Sequence, residues 1–317
     1  MTYQPTAIPD DLRSLPLPPA WITPAGSETS GIVAFRSGAT LMVLDQLIGD
    51  SRYGVPLKLL ANRLALSAAM ATSKLEGRLA REEDIRDAYH LTPPGEARGP
   101  DGDLLAYWRD AVRLRTDGVA GFADLIGPVL AGEVVGWLDA GQARVWTHGP
   151  LAGCVSVMRA VLKADDRAER IACLLSDLVL ARALNWKVVL PVTAQRITKT
   201  MLCEVVAGKP KAELAVQSQI LESIEETIRL TRDVARRAEA LRSVAPKLRA
   251  KGSDAAVNLF LAEDAVAPAP MLSPRIQGTS TAMTDRAARR FCDRLVDLGV
   301  ARELTGRSTF RLYGITP

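Results

Sequence analysis

Metal chemistry, disulfide bonding and nucleophilic catalysis have little to draw on in this sequence. It holds two histidines, His90 and His148, and four cysteines, Cys154, Cys173, Cys203 and Cys292. The cysteines stand far apart in apolar, helical stretches, and no pair has the spacing of a metal site. They read as buried reduced thiols. No P-loop, no GxGxxG after a strand, no HExxH and no GxSxG occurs. No catalytic residue, metal or cofactor is therefore expected, and the chain reads as a non-enzyme. Aromatic residues make up only 5%, which with abundant Ala and Leu favours helices over sheets. The apolar stretch from Phe122 to Leu138 is broken by Asp124, Pro128 and Glu133. No membrane span or signal peptide is read, so a cytoplasmic location is expected.

What is present is a large helical chain with a basic end. At 317 residues and 48% hydrophobic content it can bury a sizeable core, and two domains are expected. The net charge of +4 is small, but it is unevenly placed. From Arg242 onward twelve Lys or Arg face seven Asp or Glu. The C-terminal quarter thus carries more than the whole positive excess, the electrostatic footprint of a phosphate-binding surface.

Residues 1–30 contain Pro5, Pro9, Pro16, Pro18, Pro19 and Pro24, which predicts an extended arm anchored by Trp21. Residues 31–248 read as a helical bundle. Its helices are expected from Ile32 to Ile48, Leu57 to Leu75 and Glu82 to His90, then over 103–116, 121–139, 151–163 and 167–184. The acids at 82–84 and His90 at the end of the third helix suit a solvated helix under its dipole. Apolar residues then recur at three- and four-residue steps from Leu214 to Leu241, and no Gly or Pro interrupts 211–245. That predicts one helix about 50 Å long at roughly 1.5 Å per residue. It either forms the spine of the bundle or pairs with its copy in a homodimer. The basic run from Pro246 to Gly252 reads as a hinge.

Residues 252–317 carry the pattern of a winged helix-turn-helix. Ser253 is placed to cap a first helix ending near Glu263, and Met271 to Gln277 to form a second. Thr284 caps a third, along which Ala288, Phe291, Cys292, Leu295, Val296 and Leu298 make an apolar stripe. Arg286, Arg289, Arg290, Asp293 and Arg294 line its other face, and Gly299 ends it. Thr305-Gly306-Arg307 then reads as a hairpin turn. In the strand after it, Phe310 and Leu312 are expected to point inward, and Thr309, Arg311 and Tyr313 outward. Such a unit places Thr281, Thr284, Arg286, Arg289 and Arg290 toward a DNA major groove. Arg307 lies on the wing, with Arg302 and Arg311 near phosphates.

Two resemblances add to this. Thr72-Ser73-Lys74-Leu75-Glu76-Gly77 resembles the (Ser/Thr)-x-x-x-Glu-(Gly/Asn) inhibitory helix of Fic-type AMP-transferring proteins, whose glutamate pairs with an active-site arginine. Residues 159–170 are the best counterpart of that family's HPFx(D/N)GNGRxxR loop. Only Arg167 and Arg170 agree, and Arg159 stands at the catalytic histidine, which implies at most a degenerate, non-catalytic Fic-like scaffold. Separately, three stretches together resemble a bacterial, often plasmid-borne family known as a domain of unknown function. They are Trp21-Ile22-Thr23-Pro24, the segment from Leu64 to Gly99, and the segment from Pro246 to Gly314.

The sequence thus predicts a mainly α protein in which a helical bundle leads through a long helix to a winged helix. The expected function is regulation of transcription or plasmid maintenance through binding of double-stranded DNA. A non-catalytic interaction adaptor is the alternative, and a Fic-like transferase is the remoter one.

Overall fold

The computed structural model describes residues 14–22, 28–93, 95–248, 251–307 and 309–315. Residues 1–13 and 23–27 of the expected arm, and Arg249–Ala250 of the expected hinge, lie outside them. Trp21, assigned as the arm's anchor, is exposed against Phe35, while Ile22 beside it is buried. The fold is mainly helical, as the low aromatic and high Ala and Leu content predicts. The first helices run α1 Ser30–Gly49, α2 Leu57–Leu75, α3 Glu82–His90 and α4 Gly99–Ala111. The expected helix over 121–139 is instead α5 Ala123–Ile126, α6 Pro128–Ala131 and the start of α7 Val134–His148. Gly127, with φ +82°, and Pro128 make the break. Next come α8 Pro150–Ala164, α9 Glu169–Ala183 and α10 Lys199–Val206. The last is short, and its apolar spacing does not announce it in the sequence.

The long helix α11, Ala212–Val244, is continuous over 33 residues. Its buried residues include Val216, Ile220, Ile224, Ile228, Val234 and Leu241, and it packs on α1, α2, α8 and α10. It is the spine of the bundle. By length and composition α1 could cross a membrane. Here it lies along α11, where its buried Arg36 bonds Glu225 at 2.7 Å, the pairing that a charge inside a folded core requires.

Small residues set the tightest crossing, between α7 and α8. A Cβ on Gly153 would lie 2.8 Å from the Gly141 carbonyl oxygen, and one on Gly141 would meet Val157 Cγ2 at 2.4 Å. The loop after α9 is held by the buried Asp177, whose Oδ1 accepts N–H bonds from Val192 and Thr193 at 3.0 and 2.9 Å.

Three segments of the C-terminal part depart from the expectation. First, Ser253 is not a cap: it begins α12, Ser253–Phe260, and its hydroxyl donates to the Leu248 carbonyl. Second, no helix covers 271–277. Pro268–Leu272 forms one wide turn, and Arg275 then bridges Ala282. Pro268, Pro270 and Pro274 lack the N–H groups that a helix there would use. Third, the hairpin is wider than a tight turn. β1 Arg302–Glu303 pairs antiparallel with β2 Tyr313–Gly314, and the Leu304 N–H bonds the Leu312 carbonyl, so 305–307 and 309–311 lie in the tip. Phe310 sits there at φ +55° and is 74% exposed, whereas Tyr313 is buried. The alternation expected for 309–313 is reversed at those two residues.

The helix α13, Asp285–Asp297, forms as the capping residue predicts, with Thr284 Oγ accepting from the Ala287 N–H. Val266 pairs with the far side of Tyr313, adding a third strand position to the hairpin. The core beneath joins Phe260, Val266, Leu272, Phe291, Leu295 and Leu312 to Leu59 of α2 and to Val234, Ala238 and Leu241 of α11. The spine therefore serves both the bundle and the basic end.

Candidate nucleic-acid interface

On α13 the buried stripe is Ala288, Phe291, Cys292 and Leu295. Val296, expected within it, is 38% exposed. Arg286, Arg289, Arg290 and Arg294 are all exposed, as a helix seated on one apolar face requires. They are not equivalent. Arg289 pairs with Asp285 one turn before it, at 2.8 Å. Arg290 and Arg294 instead line a surface groove with Pro246, Lys247 and Leu248, at the end of the spine. Neither Lys247 nor Arg294 is among the residues that the sequence points to for the site. Arg294 stands four residues after Arg290, the helical spacing that could have revealed it.

The remaining predicted residues are more dispersed. Thr284 caps α13 at its exposed start. Thr281 is half-buried, and its methyl lies 2.7 Å from where a Cβ on Gly252 would be. Gly252 itself has φ +85°, so that position takes glycine for two reasons. Arg302 is exposed on β1 and borders a cavity shared with α2 and α3. Arg307 reaches back to the bundle, 3.2 Å from Asp87 of α3. Arg311 donates through Nε to the Arg307 carbonyl at 3.0 Å. Glu303 steadies the hairpin by accepting N–H bonds from Thr305 and Gly306 at 2.7 and 2.9 Å. Partial burial works against its charge, but the Thr305 hydroxyl, which also donates to it, and these N–H bonds outweigh burial and hold the carboxyl below its usual range.

The hairpin and the bundle meet over an ionic cluster that no pattern in the sequence announces. Asp264, which follows α12, is 3% exposed. It accepts from Arg109 of α4, and His90 Nε2 lies 3.4 Å away. The neighbouring Glu263 takes the other arm of Arg109. Burial opposes the Asp264 charge, yet His90 and Arg109 override it and hold the carboxyl far below the ordinary range. The third helix is thus no solvated face, since Arg86 and His90 are both buried. Arg86 donates to Asp87 and to the Leu304 carbonyl, at 2.8 and 3.2 Å. Above this cluster opens a cavity of about 860 Å³. The end of α3, the 267–273 turn, α13 and the hairpin surround it, with Arg289 and Arg311 among its lining residues.

At the other end of the bundle, Glu76 Oε1 and Arg170 Nε lie 2.8 Å apart, and Arg170 covers the ring of Tyr107. Arg167 is exposed in the turn before α9. Arg159 is an interior residue of α8, bonded to the Val205 carbonyl and to Glu213. Among the described residues no group of His, Cys, Asp and Glu could hold a metal ion.

The chain belongs to the family described as "Protein of unknown function (DUF1403)", whose model matches residues 6–315. No curated protein and no solved structure matches it.

Proposed function

We propose that this member of the DUF1403 family binds duplex DNA through α13 and its flanks, as a regulator of transcription or plasmid maintenance. The carrying observation is the row of exposed arginines on α13, Arg286, Arg290 and Arg294, with Lys247 beside it. The order of elements supports the same reading. A helix, an extended residue bridged to the last strand, a turn, a second long helix and a two-stranded hairpin follow one another, as in a winged helix whose middle helix has become a proline turn. In such units the exposed long helix enters the major groove and the hairpin meets a phosphate strand. Arg286, Arg290, Arg294 and Lys247 are then the primary phosphate and base contacts. Arg289 must first leave Asp285, and Arg307 must leave Asp87, before either can serve. Thr281, Thr284, Arg302 and Arg311 would add contacts further from this row. The test is retention of the full chain on heparin and on random duplex at low salt. Binding to both supports the proposal, and binding to neither leaves the rival reading, an adaptor that docks on protein.

One contact favours a second reading for the bundle. The Glu76–Arg170 pair joins the two residues that a Fic-like inhibitory arrangement would join. With Arg159 at the histidine position, such a scaffold has no base to activate a hydroxyl. Incubating Glu76→Ala protein with labelled ATP should therefore give no adenylyl transfer. Transfer that depends on Arg167 would replace the non-catalytic reading with an enzymatic one.

A further inference from the structure

Where the hairpin meets α2 and α3, a second cavity of about 340 Å³ is lined by Arg63, Glu82, Arg86, Asp264 and Arg302, among others. Arg63 is the unusual member. Its Nε and Nη2 are buried and meet no hydrogen-bond partner among the described residues. Burial accordingly lowers its pKa, although Asp264 and Glu82 oppose this at longer range. Buried N–H groups of an ionised side chain are costly without a partner, and folded proteins normally supply one. Across the same cavity, Asp264 has the complementary fault. Its Oδ1 is taken by Arg109, and its Oδ2 is buried with no hydrogen-bond partner. The cavity thus offers two unused guanidinium donors and one unused carboxylate acceptor, with Arg86 and Arg302 at its wall.

We propose that this cavity is a binding site for inorganic hydrogen phosphate. That ion matches the set group by group. Its ionised oxygens accept from the planar fork of Arg63, the geometry in which guanidinium recognises phosphate. Its one P–O–H donates to Asp264 Oδ2, which Arg109 and His90 keep ionised and therefore acceptor-only. Sulfate, fully ionised near neutral pH, has no proton to give and would set a bare oxygen against that carboxylate. Bound phosphate would join α2 and α3 to β1 and so fasten the hairpin to the bundle. The proposal does not rest on DNA binding, although Arg302 is shared with that reading, and its test uses no DNA.

The experiment is thermal unfolding of the full chain near pH 7 in phosphate or sulfate at matched ionic strength. Phosphate at a hundredfold excess over its Kd is expected to raise Tm by about 4 °C, and sulfate by far less. Arg63→Met keeps the apolar stem, removes the donors and should abolish the phosphate increment. Arg113→Met, on the surface, should keep it. Hydrogen exchange of the unmodified chain supplies a readout free of any folding defect, with slower exchange at 302–304 expected in phosphate. Equal shifts in phosphate and sulfate would overturn the proposal. So would a full phosphate shift in Arg63→Met, or no phosphate effect on Tm and exchange in the unmodified protein.

Discussion

Asp177 and Asp264 are both buried carboxylates, and their surroundings drive them in opposite directions. Asp177 has two backbone N–H partners and no ion pair among the described residues, so burial dominates and its pKa is pushed up to about 7. A folded-state pKa above the ordinary value of 3.8 means that the native protein binds the extra proton between those pH values. Stability should therefore fall as pH rises from 4 toward 7, at no more than about 1.4 kcal/mol per pH unit, and level off above. Asp177→Asn keeps a carbonyl oxygen for the two N–H groups, so urea titrations at a series of pH values should show this slope flattened. Asp264 behaves conversely. Its lowered pKa contributes stability above pH 3.8 that is lost on acidification below it. Arg109→Met strands the buried acid and should cost about 3–5 kcal/mol in urea unfolding at neutral pH. Neither carboxylate was legible in the sequence. Asp177 lies inside an apolar helical run, and Asp264 is 155 residues from Arg109. Burial and distant partners give these acids their properties, and spacing along the chain carries neither.

Among the elements, most helices with an apolar period are legible to within two residues, though α4 Gly99–Ala111 lies four to five residues before the expected 103–116. Leu57 to Leu75 and Glu82 to His90 coincide with α2 and α3. The misread elements are those governed by local backbone chemistry. Gly127 and Pro128 cut one expected helix, the prolines at 268, 270 and 274 prevented another, and the positive φ of Phe310 turned the hairpin tip outward. The α7–α8 crossing lends itself to a direct check. Gly153→Ala drives a methyl toward the Gly141 carbonyl and should destabilise by about 1–3 kcal/mol in denaturant unfolding. The hairpin allows another. Asp87→Ala removes the acid that holds Arg307 and also a partner of the buried Arg86. Where thermal unfolding shows the fold kept, it should strengthen duplex binding at low salt by releasing the exposed Arg307. Weaker binding by that variant would count against a role for the hairpin tip.

In the whole molecule, the asymmetry of charge was visible from the sequence, and so was the spine. Their connection was not. The last turns of α11 enter the core of the basic end, and the Asp264 cluster and the Arg86–Leu304 contact fix the hairpin to α3. The predicted interface is accordingly a face of a braced structure, centred on Arg286, Arg290 and Arg294 instead of the hairpin. The most direct measurement is duplex affinity over a range of salt concentrations, for the unmodified chain and for a variant with these three arginines changed to alanine. DNA binding through α13 predicts a linear fall of log K with log salt. The variant's slope should be shallower by nearly one for each lost phosphate contact, while thermal stability changes little. No duplex binding by the unmodified chain at low salt, or the same slope in both proteins, would contradict it.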